Sequence, residues 1–138
     1  MKKILIIENE FPSIKAAIQV LVLKYKEEHD DLSYDVAVKS QDVNWGEIKS
    51  FDAIFVDLSL AAKTEMDGYA ILNKIKNEYK DLVPRTAVIT GNSMVEDAFK
   101  SKGIGAEEFK VFSKPLKYMM LKEFIDLVSP VKTEEQEN

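Results

Sequence analysis

The sequence contains no cysteine, one tryptophan and one histidine. Without thiols, the chain can form neither a disulfide framework nor a thiolate metal site, and it has no cysteine nucleophile. The lone His29 lies among acidic residues, and without a second ligand it is assigned neither a metal-binding nor a catalytic role. This composition is compatible with a reducing compartment.

Basic residues are also in the minority, since 19 Lys and Arg stand against 24 Asp and Glu and give a formal net charge of -5. General nucleic-acid binders need clustered Lys and Arg, so the charge argues against such a role. No uninterrupted apolar stretch approaches the roughly 20 residues that span a bilayer, and the run at 4–7 is too short for a signal-peptide core. We expect a cytoplasmic protein with neither a nucleic-acid nor a membrane partner.

Length and hydrophobic content favour one folded domain, because 138 residues with 46% hydrophobic side chains suit a single core. We place this domain at residues 1–129. Residues 130–138 are polar and mostly acidic, and they are predicted to form a disordered tail.

Apolar patterning predicts alternating strands and helices. Continuous apolar runs at 4–7, 53–56 and 87–89 are typical of strands buried on both faces. Further strands are predicted at residues 34–38 and 109–112, and helices at 12–25, 42–49 (weakly, because Gly46 interrupts it), from Asp67 to 79, from 95 to a stop at Gly103, and at 116–127. Five βα units indicate an α/β fold, a flavodoxin-like doubly wound five-stranded parallel sheet of order 2-1-3-4-5 with helices on both faces.

Polar residues follow the carboxyl ends of the predicted strands, where ligands gather in such sheets. They are Glu8, Asn9 and Glu10 after the first strand, Asp57 after the third, Thr90 after the fourth and Lys114 after the fifth. Neighbouring carboxylates at Glu8 and Asp57 would repel unless a proton or a cation lies between them, and Mg²⁺ suits such oxygen ligands. Lys114 and Thr90 could then contact a phosphoryl group. The pattern predicts phosphoryl transfer onto the Asp57 carboxylate, giving an acyl phosphate.

Several short motifs carry a resemblance that covers nearly the whole folded chain. They are ILIIENE at 4–10, FDAIFVD at 51–57, MDG at 66–68, VITG at 88–91 and Lys114-Pro115. Together, in this order and at strand ends, they make the chain similar to the receiver domain of two-component response regulators.

The resemblance implies roles for individual residues. Asp57 would be the phosphoacceptor, Glu8 and Asn9 would occupy the paired-acid positions, and the main-chain carbonyl of Ser59 would complete the Mg²⁺ shell. Thr90 and Lys114 match the switch hydroxyl and the lysine that meets the phosphoryl group. The Lys114–Pro115 bond is expected to be cis.

The implied function is that of a stand-alone response regulator receiver, a phosphoprotein rather than an enzyme. It would accept phosphoryl from a histidine kinase or phosphotransfer protein in a two-component phosphorelay. It would signal to a downstream protein through the face formed by the fourth helix, the fifth strand and the fifth helix, because phosphorylation shifts the population of conformers there.

The chain departs from the family pattern at several positions. Asn9 replaces the second acid, so metal affinity should fall unless Glu10 turns inward. Val111 stands where many members have an aromatic side chain, and Phe109 or Phe112 could replace it only in a shifted register. The loop at 58–66 is longer than usual and lacks the common proline. These departures motivate the alternative of a degenerate receiver, a protein-binding module that works without phosphorylation.

The same residues are compatible with other functions and with purely structural roles. An aspartate-nucleophile phosphatase of the haloacid dehalogenase type needs a second aspartate two residues after the nucleophile, where this chain has Ser59. A flavodoxin-type cofactor site is disfavoured because the acidic turn at 8–10 would repel a phosphate. Thr90 could merely cap a helix, and Lys114 could merely pair with Asp57. The signalling hypothesis requires that the site side chains converge and that solvent can reach Asp57.

Overall fold

The computed structural model describes residues 1–58, 60, 64–91, 95–105 and 107–129. These residues form five strands and four α-helices, in the order β1 Lys2–Ile7, α1 Lys15–Glu27, β2 Leu32–Ala37, β3 Ala53–Asp57, α2 Gly68–Glu78, β4 Thr86–Thr90, α3 Val95–Ser101, β5 Lys110–Ser113 and α4 Tyr118–Val128. The predicted tail at 130–138 lies outside the described residues. Within the described part of the chain, no helix is long and apolar enough to cross a membrane.

The strands form one parallel sheet in the order β2-β1-β3-β4-β5, which confirms the predicted flavodoxin-like topology. Every residue of β3 and β4 is buried, as expected for central strands covered on both faces. The edge strands β2 and β5 instead mix buried and exposed positions. The continuous apolar runs in the sequence therefore marked the centre of the sheet.

Helices cover both faces of the sheet. On one face, α1 and α4 pack against the strands through residues such as Ile18, Leu121 and Phe124. On the other face, α2 and α3 contribute Ile71 and Phe99 to a second core. The carboxyl ends of the strands therefore lie between the two helical layers.

The second crossover differs from the prediction of a weak helix at 42–49. The chain forms two short 3-10 segments there, Ser40–Asp42 and Trp45–Ser50. Gly46 disfavours a helix because glycine loses more conformational entropy than other residues when it becomes helical. The Asn44 side chain accepts a hydrogen bond from the Gly46 amide (3.1 Å), which fixes a turn instead. A turn-rich connection therefore replaces the predicted α-helix between β2 and β3.

The remaining helix boundaries follow local signals. Asp67 caps α2 by accepting a hydrogen bond from the Ala70 amide (2.8 Å). Gly103, at φ +78, follows the end of α3 as predicted, because glycine adopts this backbone conformation without a Cβ clash. His29 lies just beyond the end of α1 at φ 60, a conformation that the sequence did not reveal.

Candidate functional site

The sheet register brings the candidate site residues to one edge. Ile7 pairs with Val56, so Glu8 and Asp57 follow at the same level of neighbouring strands. Asp57 pairs with Ile89, which places Thr90 one residue further along β4. The main-chain carbonyl of Thr90 accepts a hydrogen bond from the Lys114 amide (2.8 Å), and the Lys114–Pro115 peptide bond is cis. Strand pairing alone thus gathers four of the predicted side chains.

Lys114 bridges the two carboxylates. Its ammonium lies 2.6 Å from Glu8 Oε1 and 3.7 Å from Asp57 Oδ2. Burial tends to lower the pKa of Lys114, but the hydrogen bond to Glu8 and the negative charge of Asp57 outweigh it and raise this pKa. Lys114 therefore stays protonated and positively charged at the centre of the site.

Glu8 is fully buried and its pKa is raised from 4.5 to about 8. Burial is the main cause, followed by the hydrogen bond with the Asp57 carboxyl, and Lys114 opposes both. With both carboxyl groups ionised, Glu8 Oε2 finds no hydrogen-bond donor among the described residues. A buried, unsatisfied carboxylate oxygen beside a second carboxylate calls for a proton or a cation.

This donor set fits a hard divalent cation in part. Glu8 Oε2 and Asp57 supply two carboxylate groups, and Asn9 follows in the partly buried turn after β1. Glu10 is exposed, so in this conformation it does not replace the missing acid. Ser59, whose carbonyl was predicted as a ligand, lies outside the described residues. Within the described ranges, no group of three His, Cys, Asp or Glu side chains converges.

Access to Asp57 is restricted. The Asp57 side chain is only 3% exposed, whereas that of Lys114 is 24% exposed. Thr90 is 2% exposed. The expectation that solvent reaches Asp57 is therefore not met in this conformation, and a phosphodonor would have to displace neighbouring groups.

The aromatic residues of the fifth strand region occupy different faces of the sheet. Val111 and Phe109 pack on the core beneath α2 and α3, with Phe109 just before β5. Phe112 points to the opposite core, where its ring lies 5.8 Å from that of Phe124. Only Phe109 thus shares the face of Val111, and it lies two residues further from Lys114.

Gly68 is a site-forming residue whose role the sequence did not reveal. A Cβ at this position would lie 2.4 Å from the Asp57 carbonyl oxygen and 2.5 Å from Leu58 Cα. The first turn of α2 therefore packs directly on the backbone that carries Asp57. The sequence contained a signal, since the Asp67-Gly68 pair begins the helix, but the close approach depends on the tertiary structure.

The chain is similar in sequence to a known signalling protein and in fold to several solved structures. No family model matches the chain. Over 86 residues, 60% of this chain, the sequence is 37% identical to the hybrid signal transduction histidine kinase L of Dictyostelium discoideum. The chain spans 5% of the length of that protein.

Solved structures share the fold over almost the whole chain. The signal receiver domain of a DNA-binding response regulator (merR) from Colwellia psychrerythraea 34H is 22% identical, with a TM-score of 0.63 and coverage of 93% of this chain and 98% of that chain. The NtrX receiver domain from Brucella abortus is 17% identical, with a TM-score of 0.63 and coverage of 94% and 99%. The bacteriophytochrome response regulator AtBRR is 15% identical, with a TM-score of 0.64 and coverage of 96% of both chains. Together with the topology and the strand-end residues, these likenesses identify the fold of the chain as that of a response regulator receiver domain.

Proposed function

We propose that this chain is a response regulator receiver that accepts a phosphoryl group on Asp57 in a two-component phosphorelay. The observation that carries the proposal is the convergence of Asp57, Glu8 and Lys114 at one edge of the sheet, with Lys114 2.6 Å from Glu8 and 3.7 Å from Asp57. The resemblance to a hybrid histidine kinase supports a histidine kinase or phosphotransfer protein as the donor. No turnover of a separate substrate is part of this proposal.

The transfer needs an attacking carboxylate, a cation and a positive charge near the phosphoryl oxygens. An Asp57 oxygen forms the new O–P bond while the P–N bond of a phosphohistidine breaks. The leaving imidazole nitrogen keeps the electron pair of that bond and takes up a proton from solvent. Glu8, Asn9 and Asp57 would hold Mg²⁺, which when bound would neutralise the carboxylates and the phosphoryl oxygens. Lys114 moves from Glu8 toward the new phosphoryl group, which Thr90 contacts through its hydroxyl.

The downstream partner would bind the face formed by α3, β5 and α4. Two large apolar side chains of α4 are exposed, Met119 at 60% and Leu127 at 80%. Phosphorylation adds roughly two negative charges beside Thr90 and Lys114, which lie at the top of this face. A conformer that contacts these charges better gains population and presents a different surface.

Labelling with a small phosphodonor tests the proposal. Acetyl phosphate with Mg²⁺ should add one phosphoryl group to the intact protein, as measured by mass spectrometry. Asp57→Asn should abolish the adduct, whereas Asp81→Asn, a matched change at an exposed aspartate, should keep it. Absence of labelling at saturating donor and Mg²⁺ would contradict the proposal.

A degenerate receiver that binds a partner without phosphorylation is the second candidate. The 3% exposure of Asp57 favours it, as does the ion pair by which Lys114 already satisfies one oxygen of Glu8. In this function the Lys114 ammonium takes over the neutralising role of the metal.

Metal titration separates the two candidates. Asn9→Asp adds a third carboxylate at the turn after β1 and should tighten Mg²⁺ binding about tenfold, because ligand charge sets the affinity of such sites. Calorimetry or NMR titration measures the dissociation constants. Glu10→Asp serves as a control, since Glu10 is exposed and the change keeps its charge. The receiver function predicts measurable Mg²⁺ binding in the unaltered chain, and the degenerate receiver predicts none at millimolar concentration.

A further inference from the structure

A network of hydrogen bonds fastens the connection after β3 to the connection after β2. The Ser40 amide donates to Thr64 Oγ1 (2.8 Å), and the Met66 amide donates to Ser40 Oγ (2.9 Å). Thr64 Oγ1 in turn donates to the Met66 carbonyl oxygen (2.7 Å). The Glu65 amide donates to Gln41 Oε1 (3.0 Å). We call residues 40–41 and 64–66 with these bonds the Ser40–Thr64 clasp.

The clasp is built around a buried polar residue. Ser40 is 1% exposed, so its amide and hydroxyl cannot exchange protein partners for water without opening the structure. Both groups bond to residues 64–66, more than 20 positions away in the sequence. Met66 also packs against the core beneath α2. The clasp therefore holds the chain just before α2 in one place.

The placement of the chain before α2 affects the end of β3 through the close contact of Gly68 with that strand. Met66 is two residues before Gly68, and Asp67 between them caps α2. Because the Gly68 backbone lies against the Asp57 carbonyl and Leu58 Cα, any shift of residues 66–68 changes the room left for the end of β3. The Leu58 amide donates to the Ile89 carbonyl (3.2 Å), so this end is also tied to β4.

We propose that Ser40 and Thr64 are positioning residues for the Asp57 site: their hydrogen bonds fix the chain before α2, which in turn holds the end of β3 in register for metal binding and phosphoryl acceptance. This inference deepens the proposed receiver function and rests on it. Both residues would act through the backbone at 66–68, so neither is assigned a catalytic role.

A pair of substitutions at Thr64 tests the inference. Thr64→Val keeps the shape of the side chain but removes the hydroxyl that Ser40 and Met66 use, whereas Thr64→Ser keeps the hydroxyl. Ser50→Ala is a further control, because the Ser50 hydroxyl is exposed and bonds only locally, to the Glu47 carbonyl. Each variant is labelled with acetyl phosphate over a series of Mg²⁺ concentrations, and amide exchange is measured by NMR.

For Thr64→Val we expect the Mg²⁺ concentration for half-maximal labelling to rise about fivefold or more, the equivalent of one lost hydrogen bond. Amide exchange should accelerate at Met66 and Leu58 but not at Ile18 or Leu121, on the other face of the sheet. Thr64→Ser and Ser50→Ala should match the unaltered chain. A merely structural role would accelerate exchange at all of these amides.

The outcomes distinguish this inference from the proposed function. If the unaltered chain is labelled and Thr64→Val is labelled with the same Mg²⁺ dependence, the inference is wrong and the function stands. If the unaltered chain is not labelled, the receiver function fails. The inference about β3 then depends on the exchange data: local acceleration at Leu58 in Thr64→Val supports it, and unchanged or uniform exchange overturns it.

Discussion

At the scale of single residues, the burial of Glu8 links the site to proton binding. The carboxyl group of Glu8 is fully buried next to Asp57, and its pKa rises to about 8. The ordinary value of 4.5 applies in the unfolded chain, so between these two values the folded protein binds more protons than the unfolded one. Without a divalent cation, stability should therefore fall as the pH rises through this window.

We expect Glu8→Gln to remove this pH dependence. In chelator, the free energy of unfolding of the unaltered chain should decrease between pH 5 and 8, with a slope that approaches but does not exceed about 1.4 kcal/mol per pH unit. The variant should show a flatter profile, because its amide does not titrate. Urea unfolding at a series of pH values measures both curves. Parallel curves for the two proteins would contradict the assignment to Glu8.

Other shifted groups act outside this window. The pKa of Asp126 is lowered, despite its partial burial, by hydrogen bonds from Tyr25 and Lys122, so its contribution to stability is lost only in acid. The pKa of Lys114 is raised, so its contribution is lost only in alkali. Asp126 and Lys114 therefore do not obscure the comparison of the unaltered chain with Glu8→Gln in the slope of the unfolding free energy between pH 5 and 8.

At the scale of secondary-structure elements, the contact between α2 and β3 restricts position 68. In Gly68→Ala the new methyl group would meet two backbone atoms, Asp57 O and Leu58 Cα, neither of which can rotate away as a side chain could. We expect a loss of about 1–3 kcal/mol in the free energy of unfolding, the usual range for overpacking. Chemical denaturation provides the measurement.

Gly91→Ala is the matched control for this prediction. Gly91 follows β4, is exposed, and a Cβ there would meet no atom within 4 Å among the described residues. The change should therefore alter stability by no more than about 0.5 kcal/mol. Equal losses for the two alanine variants would contradict the prediction that the close approach to the Asp57 backbone governs position 68.

At the scale of the whole molecule, a hydrogen bond joins the first and last helices across the domain. The Tyr25 hydroxyl in α1 donates to Asp126 Oδ1 in α4 (2.6 Å), and these residues are 101 positions apart. Tyr25 is buried, and burial together with the Asp126 carboxylate raises its pKa above the ordinary value. Tyr25 therefore stays protonated and keeps donating at physiological pH.

We expect Tyr25→Phe to destabilise the domain by about 1–2 kcal/mol, because a hydrogen bond to a charged acceptor is lost while the ring stays in place. Tyr34→Phe is the control, since the Tyr34 hydroxyl has no hydrogen-bond partner among the described residues and its ring is held in place by stacking on Phe11. Thermal and urea unfolding of both variants give the comparison. A similar loss for both would assign the effect to general packing.

Sequence patterns were sufficient for the strand order and for the residues at the strand ends. The continuous apolar runs at 4–7, 53–56 and 87–89 are local patterns that predict strands buried on both faces. Such strands are typical of the centre of a parallel sheet. Because parallel strands present their carboxyl ends at one edge, the sequence predicts that Glu8, Asp57 and Lys114 meet there. Their roles in phosphoryl transfer stay predictions.

The contacts between distant segments could not be predicted from the sequence and are seen only in the tertiary structure. The helix predicted at 42–49 is replaced by 3-10 turns. The Gly46 amide donates a hydrogen bond to the Asn44 side chain, and Gly46 has a low helix propensity. The burial of Asp57, the raised pKa of Glu8 and the approach of Gly68 to the Asp57 backbone all depend on which segments pack together. The hydrophobic periodicity of a segment indicates which of its residues face the core. Which residues from distant segments pack against them depends on the tertiary structure, and this packing sets the charge of the site side chains and their exposure to solvent.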